Sequence, residues 1–378
     1  MPLSVRDVNF VDAGTGAIRK LLFLTGFDLP HLFVTDRPKA ETFAAFMRRK
    51  RIDAARGFDM WTYTGFSPLN VPNYYSQMRD YFAWSMDRGL YIHGPRFCDQ
   101  SVNAWVGPGG RILLSRSDQD RHIDQIHEGL VSAGAQRHHL GEICNEAWMP
   151  DGSKNFDGGV SDNRFPASRF TGFLYTRTSD DGITAASAGP YLDYQCFHSN
   201  RGQYFLVDSI KDPFEAARGN AGEPGYNSHK PTGEDEGDKF IEHTPEDCRT
   251  MGYGASLMSA YFTIHSDTEL QMCNVSPELE ARIDAFTEAW HSGWCPDDAL
   301  EHGVYGHGGA GSHLAYVPRY PDSGGENPSG VREIFSLTLG QNDYEILCYP
   351  GPAFVPQAID GYQIVERFGT TALRLERP

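Results

Sequence analysis

The stretch HHLGEICNEAW, residues 138–148, decides how this chain reads. Leu140, Ile143 and Cys144 make an apolar strand, and the strand runs out into Asn145, Glu146, Ala147 and Trp148. An amphipathic helix is expected just before it, over His122–Ala133, with apolar positions recurring at helical spacing. Working outward toward the N-terminus, the same alternation repeats. LLFLTGF (21–27) is nearly all apolar, as a strand buried on both faces should be. A helix is predicted from Glu41 to Arg56, with Phe43, Phe46, Met47 and Ile52 along one side. GFDMWTYTGF (57–66) reads as a second strand, Tyr74–Arg88 as a helix and GLYIHGPRF (89–97) as a third strand. Repeated strand–helix alternation points to a parallel sheet.

Toward the C-terminus, FTGFLYTRT (170–178) and YLDYQCFHS (191–199) read as strands five and six. A helix is expected over Phe205–Ala217, ending at RGNAGEPGY, and TGEDEGDKFIEH (232–243) reads as an acidic loop. Pro245–Ala260 is a predicted helix that runs into YFTIHSD, an eighth strand. The expected fold is an α/β (β/α)8 TIM barrel over residues 21–300, behind an N-terminal β-hairpin at 1–20. Residues 301–378 are expected to be a loop-rich linker, GVYGHGGAGSHLAYVPRYPDSGGENPSG, and a small antiparallel β module. Its strands are predicted in REIFSLTLG, DYEILCYPG, YQIVERFG and TALRLER.

The bulk numbers fit this reading. The chain has 378 residues, and a barrel takes about 250. Fifty acidic residues against 33 basic ones give a formal net charge of −17, which repels phosphate backbones and anionic membranes but not a neutral sugar. No apolar run is long enough to span a bilayer, and the first residues lack the apolar core of a signal peptide. The seven cysteines form no CxxC pair and are read as reduced, mostly buried thiols.

Two carboxylates carry the chemistry. Glu146 stands at the end of the fourth strand beside an amide and an indole, and strand C-terminal ends line a barrel's active site. Glu223, in GNAGEPGY, is fixed by Pro224 and Gly225. Two carboxyl groups about 5 to 5.5 Å apart suit a retaining glycosidase, which these become if they cap the fourth and seventh strands. Glu142, on the strand of Glu146, is expected deeper in the barrel. Glu215, in KDPFEAARG, is held in reserve as the nucleophile. The His138, His139 and Glu142 grouping lacks a metal-site pattern, the Gly-rich runs lack a phosphate-loop context and there is no G-x-S-x-G elbow.

In these residues the sequence resembles the clan A glycoside hydrolases, nearest to the family five cellulase and mannanase type. The likeness spans roughly Leu21–Asp267 and rests on GLYIHGPRF, GEICNEAW, DYQCFHS, GEPG and FTIHS in order. It implies a retaining cleavage of a β-glycosidic bond in a β-glucan or β-mannan type substrate, with no cofactor. Glu146 would be the acid/base and Glu223 the nucleophile. Asn145 would bond the 2-hydroxyl, and His93 and His198 would lie near the pair. His265 stands at strand eight where many members carry Trp, so Trp61 or Trp148 is expected to supply the sugar platform. The family's strand-two arginine has no clear counterpart, Arg96 being a candidate. The rival readings are a non-catalytic carbohydrate-binding barrel and a metal-dependent hydrolase.

Overall fold

The computed structural model describes residues 1–6, 9–61, 63–97, 114–145, 167–176, 193–197, 231–234, 243–258 and 260–292, with the C-terminal strands 313–318, 333–339, 342–348, 363–368 and 372–376. The N-terminal segment is a three-stranded antiparallel sheet of β1 (Leu3–Arg6), β2 (Asn9–Asp12) and β3 (Ile18–Arg19). Its turn is built on Asp12, whose Oδ1 accepts from the backbone N–H of Gly14 and Thr15 at 3.0 and 2.9 Å. The Leu3 N–H donates to the Arg137 carbonyl at 2.7 Å, which seats this sheet beside the start of the fourth parallel strand.

Eight parallel strands follow. They are β4 (Leu21–Thr25), β5 (Ala54–Arg56), β6 (Ile92–Phe97), β7 (His139–Cys144), β8 (Leu174–Thr176), β9 (Gln195–Phe197), β10 (Thr232–Glu234) and β11 (Tyr261–Ile264). Their order is β8-β7-β6-β5-β4-β11-β10-β9, so the first strand pairs with both the second and the last. An open doubly wound sheet reverses its order at a switch point; this order is cyclic. Between β8 and β9 the Asp193 N–H donates to the Tyr175 carbonyl at 2.8 Å, and the Tyr175 N–H donates to Asp193 Oδ2 at 3.1 Å.

The connecting helices are α1 (Leu29–Thr35), α2 (Arg37–Arg49), α3 (Tyr74–Asp87), α4 (Arg116–Ser132), α5 (Pro245–Met258) and α6 (Pro277–Trp290). Asp36, Ser115 and Ser276 cap α2, α4 and α6 by accepting from backbone N–H groups three residues on. No described helix is long and apolar enough to cross a membrane. Apolar side chains sort onto two sides of the sheet. Leu22, Leu24, Ile92, Phe262 and Ile264 join helix residues such as Phe43, Phe82, Ile126 and Phe286 in one cluster. Phe23, His93, Tyr194 and Tyr261 instead touch ring to ring, with Phe10 of β2 against both tyrosines.

Three sequence expectations are corrected. α2 ends at Arg49, Arg51 takes a left-handed turn (φ 56°), and the second strand is Ala54–Arg56. An Ala-Ala-Arg strand has little β propensity, so Ile52 read instead as the last turn of a helix. The stretch 57–66 is accordingly the loop after that strand, pinched by the Trp61–Phe66 bridge. The seventh strand is Thr232–Glu234, inside what read as an acidic loop. Likewise β12 (His313–Pro318) lies within the predicted linker. It leads a five-stranded antiparallel sheet with β13 (Glu333–Leu339), β14 (Asn342–Cys348), β15 (Gln363–Phe368) and β16 (Ala372–Glu376), ordered β12-β13-β14-β16-β15. The predicted helix Phe205–Ala217 lies outside the described residues.

Gly94 shows why β6 needs a glycine: its φ is +139°, and a Cβ there would meet the Gly57 carbonyl oxygen at 1.9 Å. On the helix side, burial pushes both His122 and His127 down to about 3 and His139 well below its ordinary value. His127 stacks on Phe173 at 3.9 Å and its Nε2 bonds the Tyr175 hydroxyl at 2.8 Å. Histidines whose folded pKa is depressed favour folding fully above the unfolded value near 6.5, and that stability drains away as pH falls toward 3. The urea midpoint should therefore fall between pH 7 and pH 4.5, and His127→Phe, which keeps the stacking ring, should fall less steeply over the same interval.

Candidate active site

At the C-terminal end of the second strand, Arg56 turns its guanidinium onto the fourth. Its Nε and Nη2 donate to the two oxygens of Glu142, each at 2.7 Å, and Nη2 also donates to Asn145 Oδ1 at 2.7 Å. Both charged side chains are fully buried. A forked pair with two short bonds is the geometry in which a guanidinium and a carboxylate tolerate burial. Arg56 also lies over the rings of Phe27 and Phe58, 5.4 Å from each. Arginine is a donor only, so its bond fixes which end of the Asn145 amide is oxygen. The Nδ2 donor end then points away from Arg56. Asn145 is tied down further by its N–H, which donates to the Phe97 carbonyl at 3.0 Å.

His93 donates from Nδ1 to the Leu140 carbonyl at 3.1 Å, which leaves Nε2 4.0 Å from Glu142 Oε1. His93, expected near the catalytic pair, thus lies beside Glu142, its ring tilted 33° against Phe23 with centroids 4.3 Å apart. His265, at the end of β11, bonds Thr25 Oγ1 through Nδ1 at 2.9 Å and Asp267 Oδ1 through Nε2 at 2.7 Å. With Asp267 accepting, Nε2 carries the proton and Nδ1 accepts from the threonine hydroxyl. Both ring nitrogens are engaged and the ring is buried. His265 thereby joins the ends of the first and last strands.

Arg56 ends the second strand, whereas Arg96, the candidate singled out in the sequence, stands on the third. Arg96 is buried against Asp59, with Nη1 2.7 Å from Oδ2, and it donates from Nη2 to the Gly94 carbonyl at 2.7 Å. Burial pushes Asp59 up to about 7 against the opposing pull of Arg96. Trp61 is 6% exposed and wedged among Phe27, Phe58 and Tyr63. The aromatic face on this loop that solvent reaches belongs to Tyr63, 61% exposed and 5.0 Å from the indole.

Glu146, Trp148, His198, Glu215 and Glu223 lie outside the described residues. The seventh strand, expected to end at Glu223, instead ends eleven residues further on, where β10 closes with Glu234, in register with Phe197 and Phe262. Arg56, Glu234 and Tyr63 do not stand out in the sequence because the second and seventh strands lie elsewhere than their local pattern suggests. The Gly-Glu pair at 233–234 after Lys-Pro-Thr was the available signal for β10. Among the described residues, no group of three His, Cys, Asp or Glu side chains is placed to hold a metal ion. Cys144, Cys248 and Cys273 are buried, and among the described residues they form no disulfide.

Neither a family model nor a curated relative matches the sequence. Solved structures do. A provisionally assigned glycoside hydrolase from Bacteroides vulgatus ATCC 8482 aligns over 100% of this chain and 82% of its own, with a TM-score of 0.53 and 10% identity. What the two share is the fold. A GH5_18 from Bifidobacterium longum subsp. infantis aligns over 72% of this chain and 79% of its own, with a TM-score of 0.49 and 14% identity. GH5_18 from Streptomyces cattleya in complex with GlcNAc aligns over 74% and 82%, with a TM-score of 0.46 and 12% identity.

The buried pair yields a stability prediction. Arg56→Met removes the guanidinium and strands Glu142 in the interior, which costs about 3–5 kcal/mol when a buried ion pair loses one partner. The joint replacement Arg56→Met with Glu142→Leu should recover most of that loss. Thermal unfolding of the three proteins checks both.

Proposed function

We propose that the chain is a retaining glycoside hydrolase that cleaves a β-glycosidic bond in a poly- or oligosaccharide of the β-glucan or β-mannan type. The observation that carries this reading is the cyclic parallel strand order, with Asn145-Glu146 following the fourth strand and a glutamate ending the seventh. The two seam bonds between Tyr175 and Asp193 favour a closed (β/α)8 barrel, and the C-terminal antiparallel sheet is proposed as the module that packs on it.

In this mechanism Glu146 protonates the leaving oxygen and then serves as base for water. It must hold its proton near the working pH, which a neighbouring carboxylate and a water-poor site both promote. For the nucleophile, position favours Glu234 over Glu223. Strand ends aim side chains into a barrel's mouth, and Glu234 ends β10 whereas Glu223 precedes that strand by nine residues. The nucleophile attacks the anomeric carbon, the aglycone departs with the proton of Glu146, and hydrolysis of the glycosyl ester returns the starting configuration. Asn145, with its amide oxygen held by Arg56, offers N–H to the sugar's 2-hydroxyl. Tyr63, backed by Trp61, offers a flat face to a pyranose ring. Trp148 and His198 remain part of the proposal as a second platform and a neighbour of the nucleophile.

A panel of β-glucans, mannans, xylans and chitosan identifies the substrate, and NMR of the first product reads its configuration. Retention is expected; an inverted product would sink the scheme. On an aryl glycoside, Glu234→Ala should lose nearly all activity and regain part of it with azide, giving a glycosyl azide of inverted configuration. Glu223→Ala should keep activity, and the opposite pattern returns the nucleophile's role to Glu223. Tyr63→Ala should raise KM about tenfold with little change in kcat, the size of one lost aromatic contact.

A further inference from the structure

The rim beyond the first two strands carries a hydrogen-bond acceptor that the two-carboxylate mechanism does not use. His31, on α1, donates from Nδ1 to Asp28 Oδ1 at 3.0 Å. Asp28 accepts and so fixes the tautomer, with the proton on Nδ1 and a lone pair on Nε2. Asp28 is 2% exposed, and its backbone N–H donates to the Gln271 carbonyl, in the loop after β11, at 2.9 Å. It stands at the N-cap of α1, yet its backbone (φ −83°, ψ −2°) lacks the extended form of a cap and its side chain accepts from no helix N–H. Among the described residues that side chain bonds only the imidazole. The imidazole is also held by packing. Its ring lies 5.5 Å from that of Phe66, the bridge partner of Trp61, and Trp61 backs the exposed Tyr63. The His31 side chain is 23% exposed, and among the described residues nothing bonds its Nε2.

We propose that His31 belongs to a distal sugar subsite shared with Tyr63, where its Nε2, oriented by Asp28, accepts a hydrogen bond from a hydroxyl of the pyranose that stacks on the tyrosine. Asp28 is then a positioning residue. The subsite is distal by strand order. β4, which leads into Asp28, is separated from β7 by β5 and β6, and from β10 by β11. At about 4.8 Å per strand that is roughly 10 to 15 Å along the sheet. The sugar at His31 is therefore a different ring from the one whose bond is broken between the fourth and seventh strands. The class of ligand follows from the chemistry of the acceptor. A nitrogen lone pair takes a proton from a neutral hydroxyl and repels a carboxylate or phosphate oxygen, as does the net charge of −17. A single imidazole does not make a metal site, and among the described residues no three ligating side chains converge. An aromatic face beside one fixed polar group is complementary to a pyranose, which has an apolar face and a hydroxylated edge. The proposal rests on the carbohydrate reading above, but its test does not require turnover.

The experiment uses the full chain as Glu146→Gln, so that cellotetraose and mannotetraose bind without being cleaved, with the histidine ring nitrogens labelled for NMR. The His31 signals are assigned by their loss in His31→Gln. At about pH 8, above the ordinary histidine value, the ring should carry its proton on Nδ1, and the Nε2 signal should move when a tetrasaccharide is added. In Asp28→Ala the proton should pass to Nε2, the form that free imidazole prefers, and affinity should fall with it; a proton that stays on Nδ1 removes Asp28 from the proposal. In calorimetric titration His31→Leu, which keeps an apolar side chain against Phe66, should weaken binding about three- to tenfold, the size of one neutral hydrogen bond. His31→Gln, whose amide oxygen reaches the place of Nε2, should recover most of that loss. An Nε2 signal that a bound saccharide leaves unmoved overturns the proposal, since a purely structural imidazole would change stability alone; this readout stands even if His31→Leu does not fold. A folded His31→Leu that binds as tightly as its parent overturns it as well, and so does binding of neither tetrasaccharide. If the unmodified protein cleaves a tetrasaccharide while neither affinity nor signal responds at His31, the subsite fails and the glycosidase reading stands. If a tetrasaccharide binds and moves the Nε2 signal but no glycoside is hydrolysed, the glycosidase reading fails and the subsite stands.

Discussion

The ladder between β4 and β11 is the constraint on which the rest of the parallel sheet depends. It pairs Leu21 with Tyr261 through Leu24 with Ile264, strands separated by the whole of the parallel sheet's sequence. Once the first strand is held from both sides, every other strand has only its sequence neighbours to pair with, and the order becomes cyclic. The same contact brings His265 to Thr25 and so fixes the strand-end geometry at the point where the chain's two halves meet. A pairing of such sequence separation is expensive in loop-closure entropy, and it repays that cost only when the intervening strands are also formed. The β4–β11 ladder and the last strand should consequently form late and together.

Inside that sheet the side chains change character along its axis. Phe10, Tyr194 and Tyr261 are mutually packed aromatics, Phe23 and His93 stack next to them, and Arg56, Glu142 and Asn145 lie beyond, toward the strand ends. The apolar layers exclude water from beneath the charged one. That exclusion is costly for any unpaired ion and strengthens every paired one. It explains why the arginine's contacts are so complete: at this depth a second-best geometry would not hold the charges in place.

Much of this was legible in the sequence where strands are long and apolar. LLFLTGF, GLYIHGPRF and HHLGEIC announce themselves because burial on both faces demands continuous hydrophobic runs, and the strands fall where those runs do. The misplaced strands are short. Ala54–Arg56 and Thr232–Glu234 have three residues each and little β-branched or aromatic character. Their position is imposed by neighbours already in the sheet, which no local pattern records. The same reason hid Arg56: its local sequence reads as the end of a helix and gives no sign of a strand end. Asn145 was legible because its strand was, whereas the burial of Trp61 depended on the packing of Phe27 and Phe58, from two different loops.

The distribution of strand lengths also bears on how the catalytic carboxylates would be held. The fourth strand has six residues, pairs on both sides and carries Glu142 locked to Arg56 from the second strand, across β6. The seventh has three residues, but it too pairs on both sides, with β9 and β11. A strand of that length cannot orient its last side chain through many ladder bonds of its own. It borrows rigidity from β11, which is joined to β4 along its length and pinned at its end through His265. The first–last ladder thus supports both halves of the proposed site, joining the first strand to the last and steadying the strand that ends at Glu234.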